Sequence, residues 1–195
     1  MHRMLRVLIV DESRERALDL CQGVADAGHM VAAVLADASD LADRVTELQP
    51  DLVLINTDAP SRDTLEHLAT LDRDFPRPVV MFADQGDEDV IRRAMKAGVA
   101  AYVVDGLASA RIEPIMKVAV ARFEAYRELR RERDDAERRL TERIAVDKAK
   151  GVLMQARGLS EDAAYHALRK LAMERGRRIG EVAQDVLDSA KLLMG

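Results

Sequence analysis

The chain has no tryptophan and only three tyrosines and three phenylalanines in 195 residues. That leaves few planar side chains on which a base or a sugar could stack. There is one cysteine, Cys21, which excludes an intramolecular disulfide and reads as a small buried hydrophobe. No apolar run approaches the roughly 18 residues of a membrane span. The opening MHRMLRVLIVDES reaches acidic residues after too short an apolar stretch for a signal peptide, so the expected compartment is the cytosol. The four histidines, His2, His29, His67 and His166, form no metal-ligand pattern. Neither a glycine-rich phosphate loop nor a Ser-His-Asp spacing is present. No catalytic function is expected.

A strong excess of base is also lacking. The formal net charge is −5, which by itself argues against nucleic acid as a partner. Its distribution changes that. Residues 1–126 carry 14 basic and 22 acidic side chains, a net of −8. Residues 127–143 carry 7 and 6, and residues 144–195 carry 9 and 7. The acid surplus belongs to the front of the chain. Any nucleic-acid binding at the back must rest on local placement of cations rather than on a broad field.

What is present divides the chain in three. Residues 1–122 alternate short apolar runs with amphipathic stretches. The runs LRVLIV (5–10), MVAAVLA (30–36), DLVLI (51–55), PVVMFA (78–83) and AAYVV (100–104) suit strands buried on both faces. Helical patterns lie near 13–27, 39–48, 61–72 and 87–97, with another from about 109. This predicts an α/β fold, a five-stranded parallel doubly wound sheet, with function beyond the carboxyl ends of the strands. Those ends hold Asp11 and Glu12, Asn56 to Pro60, Ala83 and Asp84, and Asp105 and Gly106.

The middle stretch, 112–143, is a linking helix. Within 127–143, 13 of 17 residues are charged: RELRRERDDAERRLTER. Tyr126, Leu129, Arg133, Ala136 and Leu140 follow a weak heptad and suggest a short coiled coil. The alternative is a single exposed helix held by pairs such as Glu128 with Arg131.

Residues 137–195 read as three short helices. The first stops at Gly158 and the second at Gly176, where glycine takes the left-handed conformation that ends a helix. Ser160 offers an N-cap oxygen, and Glu161 and Asp162 suit the positive end of the helix dipole. The expected buried stripes are Ala145, Ala149, Val152, Leu153 and Ala156; then Ala164, Ala167, Leu168 and Leu171; then Ile179, Val182, Ala183, Val186, Ala190 and Leu193. Tyr165 with Arg169, and His166 with Lys170, each share a surface at four-residue spacing.

AKGVLM, then A-x-x-x-L-R-K-L-A-M, then R-R-I-x-E-V-A resemble the ANTAR RNA-binding module. The resemblance implies binding of short hairpins in leader transcripts, preventing termination, by a chain dimerised through its long helix. Tyr165, His166 and Arg169 are then candidates for base contacts. Lys148, Lys150, Lys170, Arg175, Arg177 and Arg178 are candidates for phosphate contacts.

The front of the chain is similar to the receiver domain of response regulators: V-D-E after the first strand, PDLVLI-N-T-D-A-P, and A-G-V-A-A-Y-V-V. A receiver uses an acidic pair for Mg²⁺, an acceptor aspartate, a hydroxyl and a lysine. Asp11 and Glu12 match the acidic pair. Asn56 stands at the acceptor position, Ala83 at the hydroxyl position and Asp105 at the lysine position. An amide is a far weaker nucleophile than a carboxylate and offers a metal no charge. The expectation is a pseudo-receiver that has lost phosphorelay chemistry. No cofactor is implied. Asp11 and Glu12 either bind Mg²⁺ weakly or only hydrogen-bond their loops. Asp58 is either a substitute acceptor or simply a loop carboxylate before Pro60.

SRDTLEHL (61–68) and AYVVDGL (101–107) resemble nitrate-responsive antiterminators of the NasT type. That likeness implies control by a NasS-like nitrate-sensing protein and a role in nitrate or nitrite assimilation. Two other readings compete: a phosphorylated two-component regulator and a DNA-binding factor. The last helix, GEVAQDVLDSAKLL, has three acids and one lysine and would be repelled from a major groove.

Overall fold

Each short Val/Ile/Leu run becomes a strand of one parallel sheet in the computed structural model, which describes residues 3–104 and 109–194. The strands are β1 (Arg6–Asp11), β2 (Met30–Leu35), β3 (Leu52–Thr57), β4 (Val79–Ala83) and β5 (Ala101–Val104), in the order β2-β1-β3-β4-β5. Between them run α1 (Arg14–Asp26), α2 (Leu41–Leu48), α3 (Arg62–Asp74) and α4 (Glu88–Lys96); α5 (Ser109–Arg157) follows. This is the doubly wound order in which the first two strands are exchanged, and it places the switch point between β1 and β3.

The strands are apolar on both faces because both faces are covered. Leu8, Val53, Ile55 and Met81 join Leu41, Val45, Leu65, Leu68 and Ala94 of α2, α3 and α4 in one core. Val7, Ile9, Leu54, Val80 and Phe82 join Leu20 and Val24 of α1 and Ile112 and Met116 of α5 in the other. Cys21 is half-buried beside the second core, and burial raises its thiol pKa. Ser13 caps α1 and Ser61 caps α3, each hydroxyl accepting a backbone N–H three residues on.

The chain divides into two compact units, Met1–Arg127 and Glu128–Gly195. The second unit contains the later part of α5, then α6 (Glu161–Arg175) and α7 (Ile179–Met194). Gly158 and Gly176 take φ of 65° and 60° at the two stops, and Ser160 caps α6 by accepting from the Ala163 N–H at 3.3 Å. Its core is built mainly from small residues: Ala145, Ala149, Ala172 and Ala183 around Leu168 and Val182.

Two expected positions differ. Ala167 is exposed and Ala172 takes its place in the buried stripe of α6, because the helix turns its 168/172 edge toward α7. Ala156 is also exposed. Ile179, Val186 and Leu153 lie at the margin of this core; the side chain of Leu193 lies outside the described residues. No described helix is long and apolar enough to cross a membrane.

Candidate functional site

Two regions carry the residues singled out by sequence. The first lies at the carboxyl ends of β1, β3 and β4. Strand register sets Asp11 beside Asn56 and Thr57 beside Ala83. Asp11 is only 3% exposed. A buried carboxylate must be fully partnered, and it is. Asp11 Oδ1 accepts from the Ser13 N–H at 2.8 Å and from Arg16 Nε and Nη2 at 3.4 Å. Asp11 Oδ2 accepts from Asn56 Nδ2 at 2.7 Å. Arg16 also bonds Asp58 and lies 3.9 Å from Glu12. Its hydrogen bond to Asp58, helped by the charges of Asp58 and Asp11, raises the guanidinium pKa against a lowering from burial.

A fixed cation, the Arg16 guanidinium, therefore sits among Asp11, Glu12 and Asp58, the first two being the acidic pair that matches a receiver's metal ligands. Mg²⁺ needs free oxygens in octahedral array. Here one Asp11 oxygen is committed to the loop and Arg16, the other to an amide, and a positive charge lies between the remaining carboxylates. These residues do not fit Mg²⁺. Ala83, 3% exposed, brings a methyl group and no hydroxyl. The recess left beside Asn56 is about 80 Å³, well below the ~300 Å³ at which small-molecule clefts begin. Asp58 is thus an ion-pair partner rather than a bare loop carboxylate. Asp105 lies outside the described residues. The sequence reading missed Arg16. Its signal was there: with α1 capped at Ser13, a side chain in the first turn leans back over the N-terminus and so over the end of β1.

The second region is the surface of the three-helix unit, where ion pairs sort the nine candidates. Lys150 is only 15% exposed at its side chain and is held by Asp147 at 2.9 Å and Glu161 at 2.7 Å. The Glu161 hydrogen bond, then that of Asp147, raises its pKa. Arg175 and Arg177 converge on Asp185 at 3.7 and 2.5 Å, and Arg177 also meets Glu181 at 3.1 Å. Arg178 reaches Glu142 at 3.6 Å. Lys170 has only a long contact to Glu174, 3.9 Å. Among the described residues Lys148 and Arg169 are exposed without an ion-pair partner. Tyr165 is 41% exposed, with the His166 ring 6.3 Å away and tilted by 49°. Around Tyr165 a recess of about 370 Å³ brings in Arg139 and Arg143, two cations assigned by sequence only to the charged linking helix.

The model of the response regulator receiver domain matches residues 7–116, and that of the ANTAR domain matches residues 134–187. The chain belongs to the receiver–ANTAR response regulators. The transcriptional regulatory protein PdtaR of Mycobacterium tuberculosis is 27% identical over 184 residues, covering 94% of this chain and 90% of that protein. A nitrate regulatory protein of Klebsiella oxytoca is 46% identical over 48 residues, 25% of this chain and 12% of that protein. A protein-glutamate methylesterase of Sulfurimonas denitrificans is 31% identical over 124 residues, but the match covers 35% of that enzyme. Among solved structures, the signal receiver domain of a modulated diguanylate cyclase from Desulfovibrio desulfuricans superposes with a TM-score of 0.56 at 20% identity, covering 64% of this chain and 99% of that one. A response regulator from Thermotoga maritima superposes at 0.54 and 19% identity, covering 61% and 99%. These likenesses establish the receiver fold of this regulator's front half.

Proposed function

We propose that this regulator binds hairpins in leader RNA and prevents transcription termination, under the control of a partner protein rather than of phosphorylation. The observation that carries the RNA reading is the side of α6 in the ANTAR unit, where Tyr165, His166 and Arg169 are exposed and Arg169 has no ion-pair partner among the described residues. Unpaired bases stack on such planar groups, and free cations neighbour them for the phosphates. Lys148 and Lys170 extend the cationic contribution. Lys150, Arg175, Arg177 and Arg178 are already engaged with carboxylates, so each contributes less unless RNA displaces its partner.

Arg169→Ala with Lys170→Ala removes two phosphate contacts in this reading. Affinity for a leader hairpin should fall, and the slope of log affinity against log salt should shrink by about 1.4. Fluorescence anisotropy across a salt series measures both. Unchanged affinity and slope would remove this face from the account. A DNA-binding reading is disfavoured by the exposed acids Glu181 and Asp188 of α7, and binding of the same sequence as duplex DNA in the same assay separates the two.

Control without phosphorylation is supported by Asn56 at the acceptor position and by the Arg16 cluster. The regulatory partner is proposed to be a NasS-like sensor that releases the chain when nitrate or nitrite binds, placing it in nitrate assimilation in the cytosol. This rests on the runs SRDTLEHL and AYVVDGL and on the similarity to a nitrate regulatory protein. Co-purification of a periplasmic-binding-like sensor that leaves on adding nitrate tests it; a complex indifferent to nitrate would refute the signal.

A further inference from the structure

We propose that the recess between α5 and α6 takes one splayed nucleotide of the bound RNA, its base on Tyr165 and its phosphate between Arg139 and Arg143; this rests on the RNA-binding reading above.

The recess measures about 370 Å³, within the ~300–1,000 Å³ usual for ligand clefts. Four charged groups of α5 besides Lys150 line it, and they are not equivalent. Glu142 is turned to Arg178 at 3.6 Å, and Asp147 to Lys150 at 2.9 Å. The carboxylates are thus already neutralised. Arg139 has no ion-pair partner among the described residues, and Arg143 is near enough to Asp147 to help lower its pKa without a salt bridge. Two guanidiniums four residues apart share one side of a helix. Their planar forks match phosphate oxygens, and little competes for them here.

The rest of the recess selects the ligand class. Val146 and Ile179 give it an apolar floor, and Tyr165, 41% exposed, gives it an aromatic wall. An acidic protein segment would satisfy the guanidiniums but leave that floor and ring uncovered. A nucleotide satisfies both, since it carries an anion and a flat apolar body in one unit. Lys150 is a positioning residue: clamped between Asp147 and Glu161, it ties the α5 wall to the first turn of α6.

The test uses the full-length chain and a stem-loop RNA selected on it from a pool with randomised loops. Arg139→Ala with Arg143→Ala should weaken binding about 10-fold or more and reduce the salt slope by about 1.4. Tyr165→Leu should weaken it roughly 10-fold and Tyr165→Phe hardly at all. A scan of abasic sites through the loop should find one position whose loss costs the wild type roughly 10-fold and costs Tyr165→Leu nothing further, the non-additivity expected of groups in contact. Circular dichroism melts matching the wild type exclude misfolding as the cause. If the RNA binds these variants as it binds the wild type, the proposal is overturned, the recess is left to a protein carboxylate, and the RNA reading stands. If no stem-loop is selected at all, the reading beneath it falls too.

Discussion

At position 56 an aspartate and an asparagine differ by one group, an oxygen for an NH₂, and that exchange reverses the electrostatics of the site. Two carboxylates 2.7 Å apart would need a shared proton or a metal ion to offset their repulsion; the amide instead donates to Asp11 across that distance. Arg16 supplies the remaining positive charge. Restoring the metal site should therefore take both changes. Arg16→Met with Asn56→Asp should bind Mg²⁺ measurably by titration calorimetry, whereas the wild type should give no heat. Mg²⁺ binding by the wild type would show that the guanidinium does not occupy the cation position. Arg16→Met alone should cost only about 1 kcal/mol of stability, because its contacts to Glu12 and Asp58 are solvent-screened and Asp11 keeps two partners. Two glycines give a matched test of opposite sign. A Cβ at Gly180 would lie 2.7 Å from Glu142 Cγ and 3.3 Å from its Cα. Gly180→Ala should overpack this contact by about 1–3 kcal/mol and lower the melting temperature of the ANTAR unit by at least about 4 °C. Gly151, inside α5, has nothing within 4 Å, so Gly151→Ala should stabilise by about 0.5–1 kcal/mol. Differential scanning calorimetry reads both shifts.

Helix α5 is the element that the sequence described least completely. Its hydrophobic side chains Tyr126, Leu129 and Leu140 are 59, 64 and 60% exposed, while every residue from Glu128 to Thr141 is open to solvent. Large apolar groups repeating on a solvated helix are most simply buried against a second copy. Such a seam would be short and broken by Arg133, so association should be weak. Leu129→Glu with Leu140→Glu should abolish it, giving a monomer by sedimentation velocity at concentrations where the wild type is dimeric. A wild type that stays monomeric with RNA bound would dispose of the dimer. The ANTAR unit itself has a core of four alanines, one leucine and one valine. Alanines let helices approach closely but bury little area, so this unit should be marginal alone and should gain stability from RNA by mass action.

In the proposed reading the whole molecule is controlled without phosphorylation. Incubation with acetyl phosphate and Mg²⁺ should leave the chain unmodified by intact-mass spectrometry and its RNA affinity unchanged. A stable phosphoaspartate at Asp58 would restore the kinase-driven reading. The charge division suits the proposed roles: residues 1–126 carry a net of −8, which would repel RNA phosphates, and the cations proposed for RNA contact lie in the helical tail.

The strands, the stops at Gly158 and Gly176 and the cap at Ser160 were legible in the residues, because each depends on local periodicity, on the φ a residue tolerates, or on which atoms a side chain carries. The same residues offered seven cations as candidate RNA contacts without ranking them. Only the packed structure does so, by setting Asp185 against Arg175 and Arg177, Glu161 against Lys150 and Glu142 against Arg178, and by bringing Arg139 and Arg143 round to Tyr165. Arg16 among Asp11, Glu12 and Asp58, and Gly180 against Glu142, were likewise settled by tertiary contact. Whether a charge is free or spent depends on what lies within a few ångströms of it, and the partners that decide it here come mainly from different helices and strands.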